Sequence, residues 1–292
     1  MTKPVIGFIG LGLMGGNMVE NLQNKGFELI VMDLNKEAVA TVVARGATTA
    51  KSAKELAAAS DIVMLCLTTS KVVEMLVYGE DGILAGINEG AVLIDFGTSI
   101  PASTRKIGAD LAKKGAGMID APLGRTPAHA KDGLLNIMAS GDQATFDKVK
   151  PVLDMQGENV FYLGALGAGH TTKLINNFMG MTTVAAMSQA FAVADLAGVD
   201  RQQLWEIMST GPSNSPFMQF CKNYAVDGVS DLGFSINNAN KDLGYFLEMV
   251  KDLNTESKIA EGTSANLQAS VDAGMGNGNV PEILDYFLEL KK

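Results

Sequence analysis

Three glycines in Gly10-Leu11-Gly12-Leu13-Met14-Gly15 are spaced G-x-G-x-x-G, directly after the apolar run Val5–Ile9 and at the start of a helical pattern. That spacing allows a tight turn, close approach of a pyrophosphate to backbone N–H groups, and close packing of helix on strand. A purely structural turn fits the motif as well. Its context favours a dinucleotide, because the second apolar run ends at Asp33. A carboxylate there accepts hydrogen bonds from the adenosine ribose hydroxyls and repels a 2′-phosphate, so NAD is favoured over NADP. Asp33 also suits a cap for the helix beginning near Lys36. Further on, Leu67-Thr68-Thr69 and Gly97-Thr98-Ser99 follow two more apolar runs, at the strand ends where open parallel sheets bind ligands. Leu67, Thr68 and Thr98 are candidate cofactor contacts, while Thr69 and Ser99 also suit helix openings.

A second constellation lies on a long apolar helical stretch. Residues i, i+3, i+4 and i+7 share one helix face, so Lys173, Asn176, Asn177 and Gly180 form a polar stripe with a gap at its end. A single lysine near a helix start is usually a solvated surface group. Two amides beside it on an otherwise apolar helix suggest a lined cleft instead. A nicotinamide cofactor (NADH) supplies hydride, so reduction of a carbonyl also needs a proton donor for the oxygen. Lys173 fits that role, since partial burial and a helix N-terminus both disfavour its charged form. Asn177, one turn on, could hold the lysine or the substrate.

The elements that position these residues are legible in the periodicity. Short apolar runs at Val5–Ile9, Leu29–Met32, Ile62–Leu67 and Val92–Phe96 alternate with helical patterns, predicting a parallel sheet covered on both faces. Further strands, at Gly117–Ile119 and Leu134–Ala139, extend that sheet. Beyond Gly164 the strand-like runs stop and helical patterns continue to Lys292, beginning with a helix from about Thr171 to Leu196. This predicts a first domain over 1–164 and, over 165–292, an interdomain helix with a helical C-terminal domain. The 292 residues suffice for two domains. With 23 Lys and Arg against 32 Asp and Glu, the net charge of −9 disfavours nucleic acid or an anionic membrane surface as partner. Cys66, Cys221, His129 and His170 give neither a disulfide framework nor metal-ligand spacing, so no metal is expected. Met1-Thr2-Lys3-Pro4 shows no signal-peptide pattern, and polar residues interrupt the apolar stretch 174–199, so a cytoplasmic protein is expected.

The chain resembles the β-hydroxyacid dehydrogenase family along essentially its whole length. The resemblance is carried by Gly7-Phe8-Ile9-Gly10-Leu11-Gly12-Leu13-Met14-Gly15, Asp95-Phe96-Gly97-Thr98-Ser99, Asp120-Ala121-Pro122-Leu123-Gly124-Arg125-Thr126, Gly167-Ala168-Gly169 through Lys173 to Asn176-Asn177, and Lys241-Asp242-Leu243. It implies an α/β Rossmann-like N-terminal domain, a long interdomain helix and an all-α C-terminal domain. It also implies Lys173 as general acid/base with Asn177 as its neighbour, and Lys241 at the cofactor and substrate edge. A homodimer or homotetramer is implied as well. The chain departs from the common family pattern at Thr68-Thr69, at Gly97-Thr98, and at Leu123-Gly124-Arg125-Thr126, where most members carry Ser-Gly-Gly. The last segment looks like the Gly-Arg-Thr version of sulfolactaldehyde reductases.

That exchange has a physical reading. Ser-Gly-Gly offers mostly backbone donors, adequate for a small carboxylate, whereas Gly124 leaves room and Arg125 adds a permanently charged fork for a larger anion. Arg125, a backbone N–H near Thr126 and the Asn176 amide could hold a sulfonate; a solvated loop arginine is the plainer reading. The expected activity is NAD(H)-dependent reduction of a short anionic aldehyde, with 3-sulfolactaldehyde to 2,3-dihydroxypropane-1-sulfonate foremost. Tartronate semialdehyde, succinate semialdehyde and 3-hydroxyisobutyrate are carboxylate alternatives. A non-catalytic dinucleotide-binding protein is the alternative of another class, and Lys173 with its asparagine pair argues against it.

Overall fold

Four-residue apolar runs become strands, and Asn35, Ser52 and Thr69 start three of the helices that follow by capping them. The computed structural model describes residues 3–290; features expected at Met1, Thr2, Lys291 and Lys292 lie outside the described residues. The first half runs β1 (Ile6–Ile9), α1 (Leu13–Asn24), β2 (Leu29–Met32), α2 (Lys36–Val43), β3 (Thr48–Thr49), α3 (Ala53–Ala58), β4 (Ile62–Leu65), α4 (Ser70–Tyr78), α5 (Ile83–Gly86), β5 (Val92–Asp95), α6 (Pro101–Ala112) and β6 (Gly117–Asp120). It continues through β7 (Leu123–Gly124), α7 (Pro127–Asp132), β8 (Leu135–Gly141), α8 (Gln143–Leu153) and β9 (Gly157–Tyr162). Side-chain caps define the helix starts: the Asn35 carbonyl accepts the Glu37 and Ala38 amides, and the Thr69 hydroxyl accepts the Val72 amide.

The sheet order is β3-β2-β1-β4-β5-β6-β8-β7, with β9 paired to β8. Strands β1 to β6 pair in parallel, and the order reverses between β1 and β4, which places the Gly10 turn at the switch point. The expectation of a parallel sheet needs correction at one edge, since β8 runs antiparallel to β6 and β7 and parallel to β9. There the short α7 packs on α1 instead of carrying the chain across the sheet, so β8 returns in the opposite direction. Successive strand residues serve opposite faces: Ile6, Phe8, Ile62, Met64, Val92 and Ile94 enter one core, and Ile9, Val63, Leu65 and Leu93 enter the other. Burial on both faces explains the unbroken apolar runs.

After β9 the described chain is helical: α9 (Ala168–Ala197), α10 (Arg201–Ser209), α11 (Pro216–Ala225), α12 (Ile236–Asp252), α13 (Lys258–Ser270) and α14 (Ile283–Glu289), with single π and 3-10 turns at Val271–Met275 and Val280–Glu282. The chain divides into two units, Met1–Lys173 and Leu174–Lys292, so the division falls inside α9. The second unit has its own core, built on Leu174, Val184, Phe191, Met218, Leu243 and Leu267, with the Phe178 and Phe246 rings stacked at 4.4 Å. No helix among the described residues is long and apolar enough to cross a membrane.

Phe191 is fully buried in this second core. Phe191→Ala is expected to cost about 3–5 kcal/mol of stability through lost burial and a residual cavity, read as a lowered urea midpoint.

Candidate active site

The glycine turn is dictated by two different constraints. Gly10 has φ +100°, and a Cβ there would lie 2.3 Å from the Cys66 carbonyl oxygen. A Cβ on Gly15 would lie 1.9 Å from the Gly10 carbonyl oxygen, so helix and turn could not meet. Around Gly12 nothing lies within 4 Å. The protein's own packing therefore requires the outer glycines, while the middle one leaves open backbone at the start of α1. Gly12 caps α1 without a side-chain hydrogen bond, which leaves a helix N-terminus suited to an anion. Asp33 braces this turn: its Oδ2 accepts the Leu11 amide at 2.5 Å and its Oδ1 accepts the Asn35 amide at 2.7 Å. The alternative role of Asp33 as helix cap falls to Asn35.

Beside the turn, β4 and β5 bring two more expected segments together. A Cβ on Gly97 would lie 3.1 Å from the Leu67 carbonyl oxygen, so Leu67-Thr68 and Gly97-Thr98 are neighbours. Thr69 is the α4 cap, and Ser99 instead donates to Asp95 Oδ2 at 2.8 Å, while Asp95 Oδ1 accepts the Gly97 amide at 2.8 Å. Burial, followed by the Asp95 charge, pushes the Cys66 thiol up to about 12, so this sulfur stays a neutral packing group at ordinary pH.

Asp120, fully buried at the end of β6, organises the start of α9. Its Oδ1 accepts the Gly167 amide at 2.8 Å and the Ser140 hydroxyl; its Oδ2 accepts the His170 amide at 2.7 Å. Ser140 Oγ in turn accepts the Gly169 amide at 2.9 Å. A Cβ on Gly169 would fall 2.2 Å from the Met138 carbonyl oxygen and 2.8 Å from Asp120 Oδ2, which explains the second glycine of Gly167-Ala168-Gly169. The His170 side chain is also buried: Nδ1 lies 2.8 Å from Thr104 Oγ1, and Nε2 lies 3.7 Å from Asp95 Oδ2. The Thr104 hydroxyl also donates to the Ile100 carbonyl at 3.2 Å. Half-buried Lys173 follows His170 by three residues, on the helix this network anchors.

Further along α9, Asn177 is buried and its Nδ2 donates to Asp242 Oδ2 at 2.6 Å. Its Oδ1 is thereby left as an acceptor and takes the Asn176 amide at 3.3 Å. Asp242, itself buried on α12, forms a close ion pair with Lys241 at 2.9 Å without hydrogen-bond alignment, and the Lys241 ammonium lies 5.2 Å from the Tyr245 ring centroid. Asn176, Asn177 and Lys241 are thus joined through Asp242, a residue whose role sequence reasoning missed although it sits beside Lys241. Asp120, Ser140 and His170 were missed too; an aspartate closing an apolar strand run was the available signal. Gly180, expected as a gap at the end of the stripe, is instead covered by the Phe217 ring.

Gly124 and Thr126 lie at the β7–α7 junction, where Thr126 Oγ1 is 2.7 Å from His129 Nδ1. Arg125 between them takes φ +78°, a left-handed conformation unfavourable for a side chain. Its Nη1 donates to the Leu134 carbonyl at 2.7 Å and pairs with Glu158. The fork expected to face a ligand is therefore anchored along one edge, with Nε and Nη2 on the other.

Comparison with known proteins agrees in extent and in kind. Residues 5–164 match the sequence model of the NAD binding domain of 6-phosphogluconate dehydrogenase, and residues 167–286 match the NAD-binding domain of NADP-dependent 3-hydroxyisobutyrate dehydrogenase. The 2-(hydroxymethyl)glutarate dehydrogenase of Eubacterium barkeri is 31% identical over 99% of this chain and 97% of its own. The 3-sulfolactaldehyde reductase of Escherichia coli is 31% identical over 96% of this chain and 94% of its own. Among solved structures, a 3-hydroxyisobutyrate dehydrogenase from Salmonella typhimurium superposes with TM-score 0.84 at 27% identity, covering 97% of this chain and all of that one.

Asp120→Asn tests the anchor of α9. One carboxylate oxygen becomes an amide facing backbone donors, so stability is expected to fall by about 2 kcal/mol, the scale of hydrogen bonds to a charged group, measured by urea unfolding against the wild-type chain.

Proposed function

Because this chain belongs to the β-hydroxyacid dehydrogenase family, and so is an NAD-dependent oxidoreductase acting on CH–OH groups, we propose that it interconverts a short anionic aldehyde and its hydroxy acid, with Lys173 as the proton-transfer group. The observation that supports this best is the orientation of Asn177. Asp242 holds its amide nitrogen, so its carbonyl oxygen is left as an acceptor, on a residue that shares the helix face of Lys173 one turn earlier. An acceptor there can fix a lysine N–H and steer the remaining hydrogens toward a substrate oxygen.

The cofactor fits the residues present. The open backbone at Gly12, the uncapped start of α1 and the braced Asp33 suit a pyrophosphate and ribose, with Leu11, Leu13, Met14, Leu67, Thr68 and Thr98 as further contacts. When bound, NADH supplies the hydride for carbonyl reduction. Lys173 then gives its proton to the oxygen that gains charge, and takes one from the hydroxyl in the reverse direction. Asn177 orients the ammonium, Asp242 orients Asn177, and Lys241 meets the edge shared by cofactor and substrate. The carboxylate of Asp33 favours NAD over NADP, whose extra phosphate it would repel.

For the anionic end we propose Gly124, Arg125, Thr126 and Asn176, and 3-sulfolactaldehyde as the first substrate to test. The left-handed backbone of Arg125 supports this, because strain of about 1–3 kcal/mol persists mainly where function requires it. The Nε and Nη2 edge offers two parallel donors to a tetrahedral sulfonate. The ion pair with Glu158 offsets part of the guanidinium charge toward a sulfonate and a carboxylate alike, which keeps the carboxylate substrates in the comparison. The relatives named above are a 3-sulfolactaldehyde reductase and dehydrogenases of 2-(hydroxymethyl)glutarate and 3-hydroxyisobutyrate, so sulfonate and carboxylate names both occur among them.

Two measurements decide. Lys173→Ala is expected to lower kcat by at least about 100-fold, the ordinary contribution of a positioned acid, with NADH affinity unchanged by fluorescence titration; unaltered turnover removes the lysine from the mechanism. Comparison of kcat/KM across 3-sulfolactaldehyde, tartronate semialdehyde, succinate semialdehyde and 3-hydroxyisobutyrate is expected to favour the sulfonate. Preference for any carboxylate by more than about tenfold, or roughly 1.4 kcal/mol, rejects it.

A further inference from the structure

On α9, Gly180 lies seven residues beyond Lys173 and three beyond Asn177, so a side chain at 180 would project from the face that carries both. The space of that missing side chain is taken by Phe217. A Cβ on Gly180 would lie 2.6 Å from Phe217 Cζ and 3.1 Å from both Cε atoms, so the ring covers the helix backbone directly. The ring is fixed there by its own element. Phe217 is the second residue of α11, which starts at Pro216, and the Ser215 hydroxyl caps that start by accepting the Met218 amide at 3.2 Å. The ring also packs partly buried against the core of the helical unit.

We infer that Phe217 closes the polar stripe and sets an upper limit on the length of the acid this chain accepts. The inference rests on the proposed reading that Lys173 meets the carbonyl while Asn176 and Asn177 line the substrate. At a rise of about 1.5 Å per residue, the stripe from Asn176 to Gly180 spans about 6 Å along the helix axis. An acid of three or four carbons ends its chain near the amides. Each added methylene moves the anionic group toward the ring. A carboxylate driven against an aromatic side chain loses water and finds no donor, so longer acids are rejected on polarity as well as on size. A structural ring in a helical core would affect all substrates alike; a ring that ends the site affects them by length.

The test is a series of ω-oxo acids of one chemistry: malonate, succinate, glutarate and adipate semialdehydes, reduced with NADH by the wild-type chain and by F217L, F217A and F217W. The wild-type chain is expected to lose kcat/KM with length. F217L and F217A are expected to raise the adipate-to-succinate ratio by about tenfold or more, the scale of added room in an apolar pocket, and F217W to lower it, with NADH affinity unchanged. A ratio within twofold of wild type in the folded variants overturns the inference and leaves Phe217 a packing residue. Should F217A lose its cooperative melt, F217L and F217W carry the decision, because both keep a large apolar side chain in the core. Absence of wild-type turnover on every acid of the series and on 3-sulfolactaldehyde, tartronate semialdehyde and 3-hydroxyisobutyrate overturns the parent reading, whereas activity with an unchanged ratio overturns this one alone.

Discussion

The carboxylate of Asp120 sets where α9 begins. Two backbone amides and a serine hydroxyl converge on it, and the serine relays a third amide, so the first turn of a 30-residue helix is held at the end of β6. A negative group at a helix N-terminus is stabilised by the unpaired amides and the dipole, and burial strengthens both effects. The position of Lys173 then follows from helix geometry alone. With the amides of residues 167, 169 and 170 pinned, the lysine at 173 has one azimuth and one height. The absence of side chains at Gly167 and Gly169 is part of the same constraint, since a Cβ at 169 would strike the Met138 carbonyl before the amide could reach Ser140.

The same device recurs along the sheet. Asp33 follows β2, Asp95 ends β5 and Asp120 ends β6, and each gives at least one oxygen to a backbone amide of a segment that the proposed function uses. Asp33 takes Leu11 in the glycine turn, Asp95 takes Gly97 beside Thr98, and Asp120 takes the start of α9. Parallel strands present their C-terminal ends on one edge of the sheet, so carboxylates placed there brace neighbouring loops at a common edge. Asp95 and Asp120 are register partners, and two buried carboxylates side by side would repel. The donors that each carboxylate accepts, Gly97 and Ser99 at Asp95 and Gly167, His170 N–H and Ser140 at Asp120, offset part of the cost of burial.

The fold was legible where the local pattern decides the outcome. The apolar run Leu29–Met32 stands at its expected bounds, and the glycine turn joins β1 to α1 as its spacing requires. Elements decided by distant partners were not legible. The strand Gly157–Tyr162 mixes buried and exposed residues without alternation because it lies at the sheet edge, and Thr48–Thr49 and Leu123–Gly124 are too short to carry a period. The short helix Pro127–Asp132 shows only proline at its start and glycine past its end. The bonds from Asp120 to Gly167 and His170 span about fifty residues, so no window of sequence contains both ends. The stripe on α9 shows the intermediate case. Its spacing is local and readable, but the Asp242 carboxylate that orients Asn177 and the Phe217 ring that covers Gly180 come from α12 and α11.

Charge supplies a last constraint on how such a site can work. A chain of net charge −9 repels an anionic substrate at long range, so attraction has to arise within a few ångströms. Yet two of the cations proposed for the site are already matched, Arg125 by Glu158 and Lys241 by Asp242. Pairing lowers the net field of each and fixes its direction. A guanidinium held along one edge loses less side-chain entropy when an anion meets the other edge. Recognition in such a site depends on how donors are aimed more than on how much positive charge is present. The same logic applies to Asn177, a neutral group whose amide is held by a buried charge.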